Sequence, residues 1–355
     1  MAHTARRPRR TRRLRRIVPP LVVVAGAVGV GRLVARRRPL IEPVAPELRS
    51  PILYLPLSLT SDRALRFVRS LPAPPGPIAA GVDVTSRTIR NVDGDDLRLV
   101  VYERPDRARP SGALLWIHGG GMVLGEPEQG HQLCSRVASE LGVLVVSVDY
   151  RLAPEDPFPA GLDDCESALA WVHEQAGELG IDPSRVAVGG DSAGGGLAAS
   201  LAQRCRDRGG PPICFQLLEY PMLDDRSVLR VDHGGRGAFV WTPASNRYAW
   251  TAYLGHPPAP ADEQPYAAPA RTTGLADLPP AWVGVGDLDL FYEEDLDYAA
   301  RLVAAGVPCE VHIEPGMYHG ADAILPGSGP GRSFRDHLVD ALAAALGATE
   351  TLAEP

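Results

Sequence analysis

The chain has 355 residues, 45% of them hydrophobic, and a formal net charge of −7; that is enough for one large core, and α/β folds of this size commonly stay a single domain. All 36 basic residues are arginines, and 12 of them, with no acid, fall within residues 1–38. The remainder therefore carries −19, a poor match for nucleic acid, and the five scattered cysteines (Cys134, Cys165, Cys205, Cys214, Cys309) offer neither a disulfide framework nor a zinc site.

Eight arginines precede Ile17, and Ile17 to Gly31 is an uncharged apolar stretch of 15 residues. A bilayer span needs about 20 residues. Adding Leu33 to Ala35, with Arg32 reaching toward the interface, brings the segment near that length. A signal anchor over residues 17–35, associating the chain with a membrane, is the first reading of residues 1–40. A cleavable export signal with Ala25-Gly26-Ala27 as its small-residue site, and a soluble tail in the cytoplasm, stand beside it. Residues 41–81 contain the proline-rich run Pro43 to Pro77 with apolar patches, expected to form short helices over the sheet as part of a cap.

From Val82 two hairpin-like strands are expected. Further strands follow near Ala113–Ile117, Val143–Val148, Arg185–Val188, Phe215–Leu218, Ala281–Val285 and Cys309–Ile313, with helices between them. That alternation is an α/β fold with a mostly parallel, doubly wound sheet over residues 82–346, leaving 347–355 as a tail. The segment from about 223 to 277 breaks it. Its aromatics (Trp241, Tyr248, Trp250, Tyr253, Tyr266) read as a cap-like insertion, a lid over an apolar pocket.

Three strand ends carry chemistry, where ligands bind in open α/β sheets. Ala113–Ile117 runs into His118-Gly119-Gly120-Gly121, whose glycines let backbone N–H groups approach a tetrahedral oxyanion closely. Arg185–Val188 runs into Gly190-Asp191-Ser192-Ala193-Gly194, the Gly-x-Ser-x-Gly turn that exposes a nucleophilic serine between strand and helix. The oxyanion hole is then expected from the N–H groups of Gly119, Gly120 and Ala193, with His118 bracing the loop and Asp191 stabilising the elbow. Cys309–Ile313 leads to His319 on a glycine-flanked loop, where a general base belongs. His312, within that strand, reads as a structural histidine. The orienting acid must lie between serine and histidine, and Asp287 and Asp289 compete for that role.

These motifs, with Asp149-Tyr-Arg-Leu-Ala-Pro-Glu155, Tyr220-Pro-Met-Leu-Asp224 and Met317-Tyr-His-Gly320, resemble the hormone-sensitive-lipase-like esterases. These are the bacterial family IV branch of the α/β-hydrolase fold, in its GDSAG subgroup. The resemblance spans roughly residues 82–346. Counting back from Tyr298-Ala-Ala-Arg-Leu302, it places the acid on Asp289. It implies a carboxylesterase acting on small-molecule esters of short to medium acyl chain, needing no metal and no cofactor. A deacetylase or lactone hydrolase would use the same triad, and a homodimer is compatible with the resemblance. The plant gibberellin receptors, binding proteins similar to this family, lack the histidine that this chain keeps.

Overall fold

A computed structural model describes residues 34–72, 75–261 and 264–348. Residues 17–33 of the expected anchor lie outside it. Among the described residues no helix is long and apolar enough to cross a membrane.

β1 (Asp83–Arg90) and β2 (Asp96–Glu103) form an antiparallel hairpin. Asn91 closes its turn, its side-chain oxygen accepting the N–H groups of Asp93 and Asp95 at 3.1 and 2.8 Å. β3 (Ser111–Ile117), β4 (Leu144–Val148), β5 (Ile181–Asp191), β6 (Phe215–Glu219), β7 (Ala281–Gly286) and β8 (Cys309–Glu314) complete one eight-stranded sheet. Its order is β1-β2-β4-β3-β5-β6-β7-β8, antiparallel only where β2 meets β1 and β4.

The strand order places the functional loops. The chain passes from β3 to β4 on one side, then returns to lay β5 on the other side of β3. Connections leave this pair in opposite directions, so a crevice opens at the carboxyl ends of β3 and β5. The glycine loop and the serine turn, about 70 residues apart in sequence, meet there.

The central strands read as near-continuous apolar runs because helices cover both faces. Alternation sorts β3 accordingly: Ala113, Leu115 and Ile117 enter one core cluster, and Leu114 and Trp116 the other.

The helical cap is one stitched layer. Residues 34–41 are helical, and helix Asp62–Arg69 starts on Ser61, whose hydroxyl accepts the Ala64 N–H. Leu59 N–H donates to Ser245 Oγ at 2.8 Å, and Tyr248 Oη to Asp62 at 2.8 Å. These bonds tie the amino-terminal segment to helix Pro243–Leu254 of the insertion, which Thr242 caps. Arg69 reaches the other way, to the carbonyls of Val123 and Ala153 at 3.0 and 2.9 Å, holding the cap against the loop after β3.

Candidate active site

β5 ends in a sharp turn. Ser192 has φ 56° and ψ −115°, a backbone conformation that L-residues rarely adopt, and the helix Ala193–Arg208 starts immediately after it. A Cβ on Gly190 would collide with the Ile117 carbonyl and with Gly194, and one on Gly194 with the same carbonyl, so both positions admit only glycine. β6 fixes the serine backbone from the side. Ser192 N–H donates to the Glu219 carbonyl, and Met222 N–H to the Ser192 carbonyl, both at 2.8 Å.

The loops after β7 and β8 bring Asp289 and His319 to Ser192. His319 Nε2 lies 2.9 Å from Ser192 Oγ, and its Nδ1 lies 2.8 Å from Asp289 Oδ2. The other Asp289 oxygen accepts the Phe291 N–H at 2.9 Å, which fixes the carboxylate plane. Asp287 faces away from this chain. It accepts the Gly316 N–H at 2.7 Å and so ties the post-β7 loop to the loop carrying His319. Tyr220 and Phe291 pack edge-on against the imidazole at ring-centre distances of 4.9 and 5.2 Å, and Trp241 covers it at 6.4 Å. Ser192, His319 and Asp289 are 3%, 6% and 0% exposed, so water reaches the site only at the serine and histidine edges.

The glycine loop departs from expectation at one position. Gly119 N–H, expected in the oxyanion hole, donates instead to Asp191 Oδ1 at 3.0 Å. The rest of the loop is pinned through its carbonyls. Tyr150 Oη donates to the His118 carbonyl at 2.9 Å, and His118 Nδ1 to the Gly119 carbonyl at 2.8 Å. Val123 and Leu124 N–H groups both donate to the Gly120 carbonyl, at 3.2 and 2.9 Å. In a trans peptide the carbonyl and the following N–H point in opposite directions. Pinning the Gly119 and Gly120 carbonyls therefore aims the Gly120 and Gly121 N–H groups away from their anchors. Among the described residues neither has a backbone acceptor. Ala193 N–H, at a helix start, has no intrahelical partner either. The free donors are those of Gly120, Gly121 and Ala193. Burial lowers the His118 imidazole to about 4, so at neutral pH it is uncharged and holds the loop as a hydrogen-bond donor.

The sequence profile of the α/β-hydrolase fold family matches residues 114–323. Carboxylesterase NlhH of Mycobacterium tuberculosis is 37% identical over 288 residues, covering 80% of this chain and 89% of that protein. Esterase LipI of the same organism is 43% identical over 221 residues, covering 61% and 67%. Among solved structures, a bacterial heroin esterase superposes with a TM-score of 0.76 at 35% identity, covering 86% of this chain and 99% of that one. The chain belongs to the hormone-sensitive-lipase-like carboxylesterases of the α/β-hydrolase fold.

For a hydrolase of this family the insertion is less lid-like than its aromatic content suggests. Trp250 and Tyr253, expected in a lid, are buried in the main core, because helix Pro243–Leu254 turns that face toward the sheet. Tyr248 and Tyr266 bond acids on other segments, Asp62 and Asp207. Of these five aromatics Trp241 alone packs on His319. It follows a tight γ-turn in which Trp241 N–H donates to the Phe239 carbonyl at 2.7 Å across Val240, held at φ 59°. A β-branched residue there is strained. A mostly apolar cavity of about 120 Å³, lined by Leu53, Leu55, Leu57, Phe239 and Val240 among others and by the side of Arg37, opens between this turn and the amino-terminal layer.

His312 is structural, as expected. Its Nε2 lies 3.0 Å from Glu314, and its ring stacks on His337 at 4.0 Å. Arg151 and Asp164 pair at 2.9 Å beneath the hairpin turn. Sequence reasoning missed Tyr220 and Phe291, the walls of the histidine. No motif spacing marks a side chain whose role is to pack against one ring.

Proposed function

We propose that this hydrolase cleaves carboxylic esters of short to medium acyl chain through an acyl-enzyme on Ser192. The observation that carries the reading is the hydrogen-bonded chain from Ser192 Oγ through His319 to Asp289, with three unengaged N–H groups beside it. As Ser192 Oγ attacks the acyl carbon, its proton passes to His319 Nε2. His319 keeps its Nδ1 proton, donated to Asp289, whose charge stabilises the imidazolium. The oxygen of the former carbonyl takes the negative charge and accepts from Gly120, Gly121 and Ala193; one such donor is worth about 3–4 kcal/mol to the transition state. Collapse returns the proton to the departing alcohol. Water then repeats the sequence in reverse roles, releasing the acid and restoring Ser192. No cofactor enters the scheme.

The test is turnover of p-nitrophenyl esters from acetate to palmitate by the full chain. Each added CH₂ that is buried contributes about 0.8 kcal/mol, so kcat/KM should rise up to about fourfold per carbon until the space is full. An optimum between about four and eight carbons, with poor activity on palmitate, is expected, because overpacking a filled pocket typically costs about 1–3 kcal/mol. No turnover on any ester would overturn the reading. A steady climb to palmitate with activation by emulsion would replace it with a lipase.

Membrane association through residues 17–35 belongs to the same proposal. It rests on the composition of that segment, basic on both flanks and apolar between. Deleting residues 1–33 should move the hydrolase from the membrane to the supernatant fraction, and an unchanged distribution would contradict it.

A further inference from the structure

Behind the serine turn, four charged side chains gather outside the Ser192–His319–Asp289 chain. Glu219 ends β6, Asp191 ends β5, Asp322 lies three residues after His319, and Arg335 comes from the final helix, Gly329–Leu346. Glu219, Asp322 and Arg335 are all buried. Arg335 Nε donates to Asp322 Oδ2 at 2.9 Å, and its Nη1 to Gln132 at 3.1 Å. Glu219 Oε1 and Asp322 Oδ1 have no hydrogen-bond partner among the described residues. Two of these carboxyl groups, Asp322 and Glu219, thus face one guanidinium, in an interior where an uncompensated anion is costly.

Asp191 joins this cluster to the oxyanion loop. Its Oδ1 accepts the Gly119 N–H across 72 residues of sequence. Its Oδ2 lies where a β-carbon on Gly119 would stand, so the two motifs exclude any other residue at 119. The other anchors of the loop are a phenol, a neutral imidazole and two backbone N–H groups. Of the groups that pin residues 118–120, Asp191 is the one among the described residues that carries charge.

We propose that Asp191 is a positioning residue for the oxyanion hole: by gripping the Gly119 N–H it holds the loop so that Gly120 and Gly121 face the acyl oxygen. The inference rests on the ester-hydrolase reading above. The grip has a pH dependence. Asp191 is raised to about 6, chiefly by burial and then by the Asp322 charge, while Gly119 N–H and His319 pull it down. Its remaining titratable neighbours are Glu219, Cys134, Tyr150 and Tyr220, each pushed well above its ordinary range by burial. Arg335 faces Asp322 and Glu219 and stays charged. Protonating Asp191 replaces a charge-assisted hydrogen bond by a weaker one. The acid limb should therefore carry a step from Asp191 and the carboxyls coupled to it.

The experiment compares the full chain with Asp191→Ala and Asp191→Asn on p-nitrophenyl acetate across pH 4.5–8.5, beside thermal unfolding. Asp191→Ala should lower kcat about 10²- to 10³-fold, the usual loss of an oxyanion donor, with KM within about threefold. Asp191→Asn keeps an acceptor oxygen and should recover kcat to within about tenfold of wild type. The acid limb of log kcat/KM should carry an added partial step of up to about tenfold in wild type that is absent in Asp191→Asn. If Asp191→Ala does not fold, the loss of that step in Asp191→Asn decides alone. Full kcat in a folded Asp191→Ala, or an acid limb unchanged in Asp191→Asn, would overturn the proposal. Those outcomes leave wild-type turnover intact, and so differ from failure of the esterase reading, in which wild type itself is inert.

Discussion

The edge of the Trp241 indole occupies the space that a side chain on Gly121 would need. The same indole covers His319, and its Nε1 donates to Asn246 Oδ1 at 3.3 Å, so one fixed ring walls both the oxyanion loop and the base. Gly121→Ala should therefore cost activity twice over. The residue sits at φ 65°, and its methyl group would displace either the ring or the loop. A kcat loss of at least about 10²-fold is expected, and wild-type kcat in that variant would show that Trp241 yields freely.

Trp241→Ala should lengthen the preferred acyl chain. Removing the wall opens room for further methylenes, each worth up to about fourfold in kcat/KM. The optimum along the p-nitrophenyl series should shift by two or more carbons while acetate turnover falls. An unchanged profile would place the acyl chain elsewhere.

Asp289→Asn should be far more damaging than Asp287→Asn. Asp289 accepts from both His319 Nδ1 and the Phe291 N–H. An amide there favours the wrong imidazole tautomer, a change that costs about 10⁴-fold in kcat in a serine protease. Asp287 holds only the base of the loop through Gly316, so its amide, which keeps an acceptor, should cost less than about tenfold. Steady-state kcat of the two variants checks this, and the reverse order would exchange their roles.

Glu294 makes stability depend on pH. It is buried, accepts the Leu223 and Asp224 N–H groups through Oε1, and leaves Oε2 without a partner among the described residues. Burial, then the Asp224 charge, raises it to about 8 from an ordinary 4.5. Between those values the native chain holds a proton that the unfolded chain has released, so stability falls as pH rises through that window. Glu294→Gln keeps the acceptor and removes the titration. Its Tm relative to wild type should improve from pH 5 to about 8 and level off above that, and a difference independent of pH would contradict the assignment.

The sheet and the strand–turn–helix at Ser192 were legible because backbone demands leave local marks. β3 and β5 announce themselves as apolar runs ending in glycines, and Gly190 and Gly194 are required by collisions that any such turn creates. Strand edges needed the structure. β5 extends back to Ile181, beyond the apolar core of Arg185–Val188, because it pairs with β3 at Ser111. The direction of the Gly119 N–H escaped the sequence for a different reason. Which of three consecutive glycines points its N–H at the substrate depends on how the loop is pinned, and two of its anchors, Tyr150 and Asp191, come from segments distant in sequence. Glu219, Asp322 and Arg335 likewise carry no spacing signal, because only the folded sheet brings three strand and helix ends together. Trp250 looked like Trp241 in sequence. A helix face turned to the core and a loop turned to the site can share the same composition.

The most direct test of the account is reaction of the full chain with a p-nitrophenyl phosphonate ester, followed by mass spectrometry of the intact protein and its peptides. One phosphonyl group should attach per chain, on the peptide containing Ser192, and esterase activity should fall in proportion to its formation. Ser192→Ala should take up none and have kcat lower by about 10⁴-fold or more. Activity surviving complete labelling, or a stoichiometric adduct on any other residue, would contradict the assignment of Ser192 as the nucleophile.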